Sequence, residues 1–578
     1  MTANLFRERV IDQLERSSNR VLLRIAISSS ELVELTGHDI LVQSRAAAKS
    51  YAGTAAAGSV VLLLLPHSVE LFLLQIGLVL TGRIPAVLAW PTSRVDAGKY
   101  QRNLVHQLAN LPAERVITTL DLANTLADRL PYLTIGCQIH GPDCWRQDLS
   151  TKRTLHSVPQ VRQVARPLLD ASDTLFLQFS GGTTGAQKAV VIHSAILDGQ
   201  LFRLAEALAF GAEDSVVSWL PLYHDMGLIA CLWLPLYFSA PSLHFAPGEW
   251  LLNPGLLFKY IERYEGTFTW LPNFAFSYLA SQFHRVPGPC SLDSMRAWIN
   301  CSEPVRGLAT KAFLDRYAGW GVRPETIQAS YAMAENVFAV TQTTLGEVVS
   351  THNRIRTYDG VTPLSFGLVD DVYISSGPPL SGMQVRIVKP QSEDLCRDGQ
   401  AGEIQLKTES LFRGYWGPEG FVTDVFTADG WYVTGDYGFM ADGELFVIGR
   451  FKDIIIVGGQ NVYPEDVELA AGASDGIYPG RVVAFGVTDE KNGTESVVVV
   501  AEMRGNYDTA QARVIERALS QNVLAHIGIA PRRAVVVPER WIVKSTAGKI
   551  SRRETRERYL RELSPLQSIT EHCPKGVS

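Results

Sequence analysis

Apolar and polar positions along this chain change period in blocks of strand and helix length. Between residues 59 and 130, "SVVLLLL", "RIPAVLAW" and "ERVITT" have the aliphatic density of buried strands. The runs between and after them, "SVELFLLQIGLVLTG", "KYQRNLVHQLANL" and "LDLANTLADRL", repeat apolar residues at helical spacing. This alternation predicts a parallel sheet with helices on both faces. The greasiest stretch, residues 59–80, carries Pro66, His67 and Glu70 inside it, so it reads as strand, turn and buried helix and not as a membrane span. A further apolar run ending in "FLQF" leads into "SGGTTGAQK", residues 180–188, at the carboxyl end of a strand, where open α/β sheets place phosphates.

A second αβ stretch runs from Leu201 to about Tyr331, and from residue 382 short strands broken by Gly and Asp predict a small β-rich subdomain. After Arg450 comes a smaller unit of strands ("RVVAFGV", "ESVVVVAEM", "RAVVVP") and helices ("TAQARVIERALSQNVLAH", "RRETRERYLREL"). The expected fold class is therefore α/β. A large N-terminal domain, 1–451, stacks αβ subdomains with the β-rich one, and a small, mobile α+β domain, 452–578, follows. The length agrees, since 578 residues exceed what one core supports.

Composition narrows the function. Apolar residues make up 46% and charged residues 19%, an ordinary globular balance. With 53 Lys plus Arg against 59 Asp plus Glu there is no basic field of the kind nucleic-acid binding needs, so any anion site is local. Seven scattered cysteines form no C-x-x-C pair and no metal spacing, which suggests reduced thiols in a cytoplasm. The first twenty residues lack the apolar core of a signal peptide.

The loop itself admits two phosphate readings. A nucleoside-triphosphatase loop needs G-x-x-x-x-G-K followed by Ser or Thr, but the residue five after Gly181 is Ala186, and Ala189 follows Lys188. That reading fails. Ser180, Gly181, Gly182, Thr183, Thr184 and Gly185 remain, a run of backbone N–H groups and hydroxyls able to wrap a polyphosphate, or else a flexible turn between strand and helix.

Downstream lie "SWLPLYHDMGLIA", "WLPNFAFSYLA", "NCSEPVRG", "YAMAEN", "GWYVTGDYGF", "GRFKDIIIVGGQNVYPEDVE" and "KSTAGKISRR". With these motifs in order, residues 20 to 562 resemble the adenylate-forming superfamily of acyl-CoA synthetases, peptide-synthetase adenylation domains and luciferases. The closest resemblance is to fatty acyl-AMP ligases. It implies ATP and Mg2+ as cofactors, a carboxylic acid substrate, an acyl-adenylate product, and an acyl carrier protein as thiol partner. Free CoA is the rival acceptor of a conventional acyl-CoA or aryl-CoA ligase, and a non-catalytic adenylate-binding relative is the rival from another class. Nothing argues for luciferase-like oxygen chemistry.

The resemblance assigns the β- and γ-phosphates to the loop and Lys188, magnesium to Glu335, and adenine stacking to Tyr331. It assigns the ribose hydroxyls to Asp436, a ribose or phosphate contact to Arg450, and the adenine edge to Ser302, Glu303 and Pro304. Lys549 would reach from the small domain to the carboxylate and α-phosphate, and Lys452 would be the hinge. Arg552 and Arg553 read as solvated helix charges. The acyl pocket would hold His224, Asp225, Trp270, Asn273, Phe274 and Tyr278, with His224 among the catalytic positions but given no proton-transfer role. Trp270 and Leu271 stand where smaller residues are expected, which argues against a long alkyl tunnel. Ala189 and Ala332 replace usual glycines. The run Val337 to Ser381 exceeds the CoA-ligase connection by about twenty residues, beyond the usual loop length. Such an insertion, at about 340–375, packs on the small domain in this branch and disfavours free CoA.

Overall fold

The computed structural model describes residues 2–52, 55–91, 100, 104, 111, 113–119, 122, 134–138, 173–180, 188–305, 307–353, 372–390, 392–417, 420–457, 460–489, 494–544 and 549–563. The alternating block forms the expected sheet. Strands Thr174–Phe179, Ile84–Val87, Val60–Leu64, Ala113–Thr118 and Thr134–Gln138 are neighbours and parallel. Every residue of Val60–Leu64 is buried, as an interior parallel strand covered on both faces requires. The helix that follows, Val69–Leu80, is also buried along its whole length, and Ser68 caps it by accepting the Leu71 N–H. Gly77 lets the helix Gly37–Ala52 cross against it, because a Cβ there would stand 1.9 Å from the Ser44 carbonyl oxygen. The apolar run is thus strand, turn and helix, and no described helix is long and apolar enough to cross a membrane.

One edge differs from the sequence expectation. Lys188 leads directly into a strand, Ala189–His193, that returns antiparallel to Thr174–Phe179, so the glycine-rich loop joins two strands and does not open a helix. Strand Tyr415–Gly417 then pairs with Ala189–His193, and Gly420–Val422 closes that edge. The β-branched run "AVVIH" explains the extended form.

The second αβ stretch forms another eight-stranded sheet, parallel through its centre from Ile327–Ala332 to Val21–Ala26. Strands Val21–Ala26 and Leu32–Thr36 come from the chain's first forty residues and join it beside Ser242–His244. One continuous core links the helices Gly37–Ala52, Val69–Leu80 and Ser194–Ala207 with this sheet. The β-rich subdomain is a four-stranded antiparallel sheet of Gln384–Val388, Gly402–Lys407, Tyr432–Ala441 and Glu444–Arg450.

After the 3-10 turn Phe451–Asp453, a three-stranded sheet of Ile477–Asp489, Thr494–Met503 and Arg533–Val537 carries the helices Pro464–Gly472, Thr509–Ile527 and Arg552–Glu562 around its own two apolar clusters. Arg552 departs from its reading as a solvated charge. Its side chain is largely covered and pairs with Asp453, Glu465 and Glu468. Arg553 is half exposed beside Glu557.

Candidate active site

The phosphate-loop neck is closed by its own backbone. Ser180 N–H donates to the Lys188 carbonyl at 2.9 Å, and Lys188 N–H donates to Ser180 Oγ at 3.3 Å. Gly181, Gly182, Thr183, Thr184 and Gly185 lie outside the described residues. Lys188 Nζ stands 4.4 Å from the centroid of the Tyr415 ring, a cation–π contact made possible because Tyr415 pairs with Val190 across the sheet edge.

Tyr415 links that lysine to Glu335. Its hydroxyl donates to Glu335 Oε1 at 2.5 Å and lies 3.1 Å from the Tyr432 hydroxyl. Glu335 sits in the turn Ala334–Asn336, which follows strand Ile327–Ala332, and its backbone carbonyl accepts the Phe412 N–H at 2.8 Å. Burial pushes the Glu335 carboxyl above its ordinary value, and the Tyr415 hydroxyl opposes that shift. The turn is strained at Val337, a β-branched residue at φ 65°, and Asn336 holds it by donating to the Ala339 carbonyl at 2.8 Å. Strain kept by specific bonds beside a buried carboxylate is the pattern of a constrained functional turn.

The residues expected at the nucleotide are carried by the β-rich sheet and the strand Ile327–Ala332. Asp436 and Arg450 are direct partners in the antiparallel ladder, and Arg450 Nε lies 2.8 Å from Asp436 Oδ1. Tyr331 donates its hydroxyl to Asp436 Oδ2 at 2.5 Å. The Asp436 carboxylate raises Arg450 above its ordinary value, and Glu335 and Tyr432 contribute to the same field. Neither Ala189 nor Ala332 has positive φ, so replacing glycine there strains no backbone.

His224 Nδ1 lies 2.7 Å from Asp225 Oδ1, and Asp225 caps the π-helix Met226–Trp233 by accepting the Met226 N–H at 2.8 Å. Burial pushes the Asp225 carboxyl up, but the His224 ring, Lys549 and that amide outweigh it and hold the carboxyl below its ordinary value. Lys549 therefore stands close enough for its charge to act on Asp225, and it acts on Cys301 as well. Cys301 is fully buried, and that burial pushes its thiol up to about 12, away from the thiolate form.

Ser302 turns the chain at φ 73°, and Glu303 accepts the Phe274 N–H at 3.0 Å. Pro304 is half-buried beside it. Trp270 is fully buried on the strand Phe268–Pro272, its ring 6.0 Å from Phe268. Asn273 accepts from Asn300 Nδ2 at 2.9 Å, and Tyr278 donates to the Leu251 carbonyl at 2.7 Å. Phe274 and Tyr278 instead border a pair that the motifs do not signal, Trp219 stacked on Trp250 at 4.0 Å. Lys452 is exposed in the turn Phe451–Asp453, and Glu403 feels its charge.

The structure thus forms two runs of contacts, Lys188–Tyr415–Glu335 and Tyr331–Asp436–Arg450, and the charges of Glu335 and Lys549 act on Arg450 and Asp225. Tyr432 joins the first run through its hydroxyl contact with Tyr415. Among the described residues no three His, Cys, Asp or Glu side chains group to hold a metal by themselves. A single buried carboxylate beside a phosphate loop does fit magnesium, which commonly takes one or two carboxylates plus substrate phosphates.

Comparison with known proteins gives the family of the chain. The family described as AMP-binding enzyme matches residues 13–416. A medium-chain-fatty-acid–acyl-carrier-protein ligase, JamA, of Moorena producens is 30% identical over 410 residues, covering 67% of this chain and 68% of the relative. A long-chain-fatty-acid–AMP ligase, FadD32, of Mycolicibacterium smegmatis is 27% identical over 583 residues, 91% and 89% of the two chains. A solved structure from a study of fatty acyl-adenylate ligases of E. coli and L. pneumophila superposes with a TM-score of 0.80 at 23% identity over 96% and 97% of the two chains. This chain belongs to the AMP-binding enzyme family, with the large and small domains of that fold. It is an adenylate-forming ligase that binds ATP.

Proposed function

We propose that this ligase joins a carboxylic acid to the α-phosphate of ATP and then passes the acyl group to the phosphopantetheine thiol of a carrier protein. The observation that carries the reading is a pair of contact runs, Lys188 to Tyr415 to Glu335 and Tyr331 to Asp436 to Arg450, with the charge of Glu335 raising Arg450 and the charge of Lys549 lowering Asp225.

In the first step a carboxylate oxygen bonds to the α-phosphorus while the bond from that phosphorus to the pyrophosphate oxygen breaks, and pyrophosphate leaves with the electron pair. No proton moves. The chain's contribution is charge neutralisation and alignment of two mutually repelling anions. Lys188 and the loop hold the β- and γ-phosphates, Asp436 accepts the ribose hydroxyls with Arg450 orienting it, and Tyr331 flanks adenine beside the 302–304 backbone. Lys549 draws the carboxylate and α-phosphate together, and His224, fixed by Asp225, borders the acyl group as a positioning residue. Magnesium held at Glu335 would neutralise phosphate charge. In the second step the carrier's thiolate sulfur attacks the acyl carbon and AMP leaves. Rotation about Lys452, at the boundary between 1–451 and 452–578, would withdraw Lys549 and admit the thiol.

JamA, which carries an acyl-carrier-protein ligase name, supports the carrier as acceptor. The fully buried Trp270 supports a short, medium-length or cyclic acid. The test is pyrophosphate release across a panel of acids, followed by mass spectrometry of reactions offered CoA or a phosphopantetheinylated carrier. Acyl-carrier product with little acyl-CoA is expected. Efficient acyl-CoA formation would transfer the case to a conventional CoA ligase.

A further inference from the structure

Lys549 acts from the small domain, and what holds its backbone there is an arginine three residues away. Arg552 Nη1 lies 2.6 Å from Asp453 Oδ2, while Nη2 lies 3.0 Å from Glu465 Oε1 and 2.9 Å from Glu468 Oε1. Its Nε also donates to Glu468 Oε1, at 3.2 Å. Asp453 belongs to the turn Phe451–Asp453 beside Lys452, and the two glutamates to the helix Pro464–Gly472.

Both ends of this cluster are anchored. Glu468 Oε1 also accepts the Ala484 N–H at 2.9 Å, and Glu465 lies so close to Gly449 that a Cβ there would meet its Oε2 at 2.9 Å. Gly449 immediately precedes Arg450 on the last strand of the β-rich sheet. At the other end Ser551 N–H donates to the Val543 carbonyl at 2.9 Å, Lys544 and Ile550 form a β-bridge, and Thr555 accepts the Val543 N–H at 3.2 Å. The backbone directly after Lys549 is therefore pinned to the 543–544 segment, and Arg552 ties it to the hinge turn.

The charges do not balance. One guanidinium meets three carboxylates in a site where Arg552 is only 17% exposed, and burial pushes the Glu468 carboxyl up against the pull of Arg552. Covered ionic clusters of this kind are weak devices for stability, because desolvation offsets much of the attraction. Their directional strength lies in the planar guanidinium fork, which fixes the relative positions of the groups it bridges.

We propose that Arg552 is a positioning residue for adenylation: it locks the Lys549 backbone to the hinge turn through Asp453, so that hinge rotation delivers the lysine at a fixed distance and angle. This rests on the assignment of Lys549 to the first half-reaction. A displacement of about 1 Å at a reacting group costs on the order of a hundredfold in rate.

The experiment compares Arg552→Met, Arg552→Lys, Asp453→Asn and Lys549→Ala in the full chain, using the acid that releases pyrophosphate fastest. Single-turnover acyl-AMP formation, the KM for ATP, acyl transfer from preformed acyl-AMP and the melting temperature are measured for each. Arg552→Met is expected to lower the adenylation rate by about tenfold to a hundredfold with the KM for ATP and the transfer step unchanged. Arg552→Lys, with charge but no fork, does not restore the rate. Asp453→Asn shows the same selective loss to a smaller degree and serves if Arg552→Met does not fold. Equal loss in both half-reactions, rescue by lysine, or a normal adenylation rate in Arg552→Met while Lys549→Ala is inactive each overturns the proposal. Adenylation that survives Lys549→Ala removes the lysine assignment itself, and the proposal with it.

Discussion

Tyr415 shows how a residue acquires a role that no motif announces. Glu335 and Asp436 are legible because each stands in a short recognisable run, but Tyr415 lies 80 residues from Glu335 and meets it only after strand Tyr415–Gly417 pairs beside Lys188. It does two separable things, offering a ring face to the Lys188 ammonium and a hydroxyl to the Glu335 carboxylate. Tyr415→Phe keeps the first and removes the second. Hydrogen bonds to charged groups contribute about 1.5–3 kcal/mol, so the phenylalanine variant should require at least about tenfold more magnesium for half-maximal adenylation. Saturating magnesium should restore most of its rate, whereas Tyr415→Leu, which also exposes Lys188 to the loss of its ring partner, should stay impaired. Direct titration with Mn2+ in the presence of ATP provides the second readout, and equal metal affinity in wild type and Tyr415→Phe would count against the role.

At the scale of elements, apolar period was a sound guide wherever burial alone decides the conformation. The interior strand Val60–Leu64 and the helices Val69–Leu80 and Thr509–Ile527 stand where the pattern puts them. Pairing across long separations was not legible, which is why the hairpin around the phosphate loop and the recruitment of Val21–Ala26 into the second sheet emerge only in three dimensions. Arg552 was misread for the same reason, since three carboxylates distant in sequence converge on it. Trp270 shows the consequence for substrate choice. Strand Phe268–Pro272 packs on the π-helix Met226–Trp233 that Asp225 caps, and the fully buried indole is the large side chain that the proposed acyl pocket would have to accommodate. Trp270→Gly should shift preference toward longer acids, with each added methylene that becomes buried worth about 0.8 kcal/mol, or about fourfold in kcat/KM. The same change should lower stability by about 3–5 kcal/mol, as expected for removing a large buried side chain, and a fitting long acid should raise the variant's melting temperature more than the wild type's. A wild-type enzyme already most active on long chains would contradict this account.

At the scale of the whole molecule, the extra segment and the domain seam meet in one aromatic cluster. Thr351–Asn353 and Val372–Ile374, the two ends of the segment, form an antiparallel pair. His352 and Tyr373 pack at 5.2 and 5.5 Å from Phe439 of the β-rich sheet. Tyr373 shares that cluster with Tyr437, and Tyr437 stacks on Tyr463 at 5.8 Å and lies 6.0 Å from Phe451. The strand pair Thr351–Asn353 and Val372–Ile374 is thus seated on the β-rich sheet, and Tyr437 of that sheet also meets Phe451 and Tyr463, which follow the final strand Glu444–Arg450. Residues 354–371 lie outside the described structure, but the register states how to remove them. Asn353 is the direct partner of Val372, so a short Gly-Ser turn can join the two strands while Thr343, whose hydroxyl accepts the Ala329 N–H at 2.9 Å, is left in place. If the segment biases domain rotation against free CoA, a bias of about 1.4 kcal/mol would hold the CoA-competent population roughly tenfold lower while that state is minor. Replacing 354–371 by that turn should therefore leave acyl-AMP formation largely intact and raise the ratio of acyl-CoA to acyl-AMP by about tenfold. The ratio is read by mass spectrometry under matched CoA and ATP, alongside transfer to a phosphopantetheinylated carrier. A folded, adenylating variant with an unchanged ratio would place acceptor choice in the thiol channel itself and not in the balance between domain orientations.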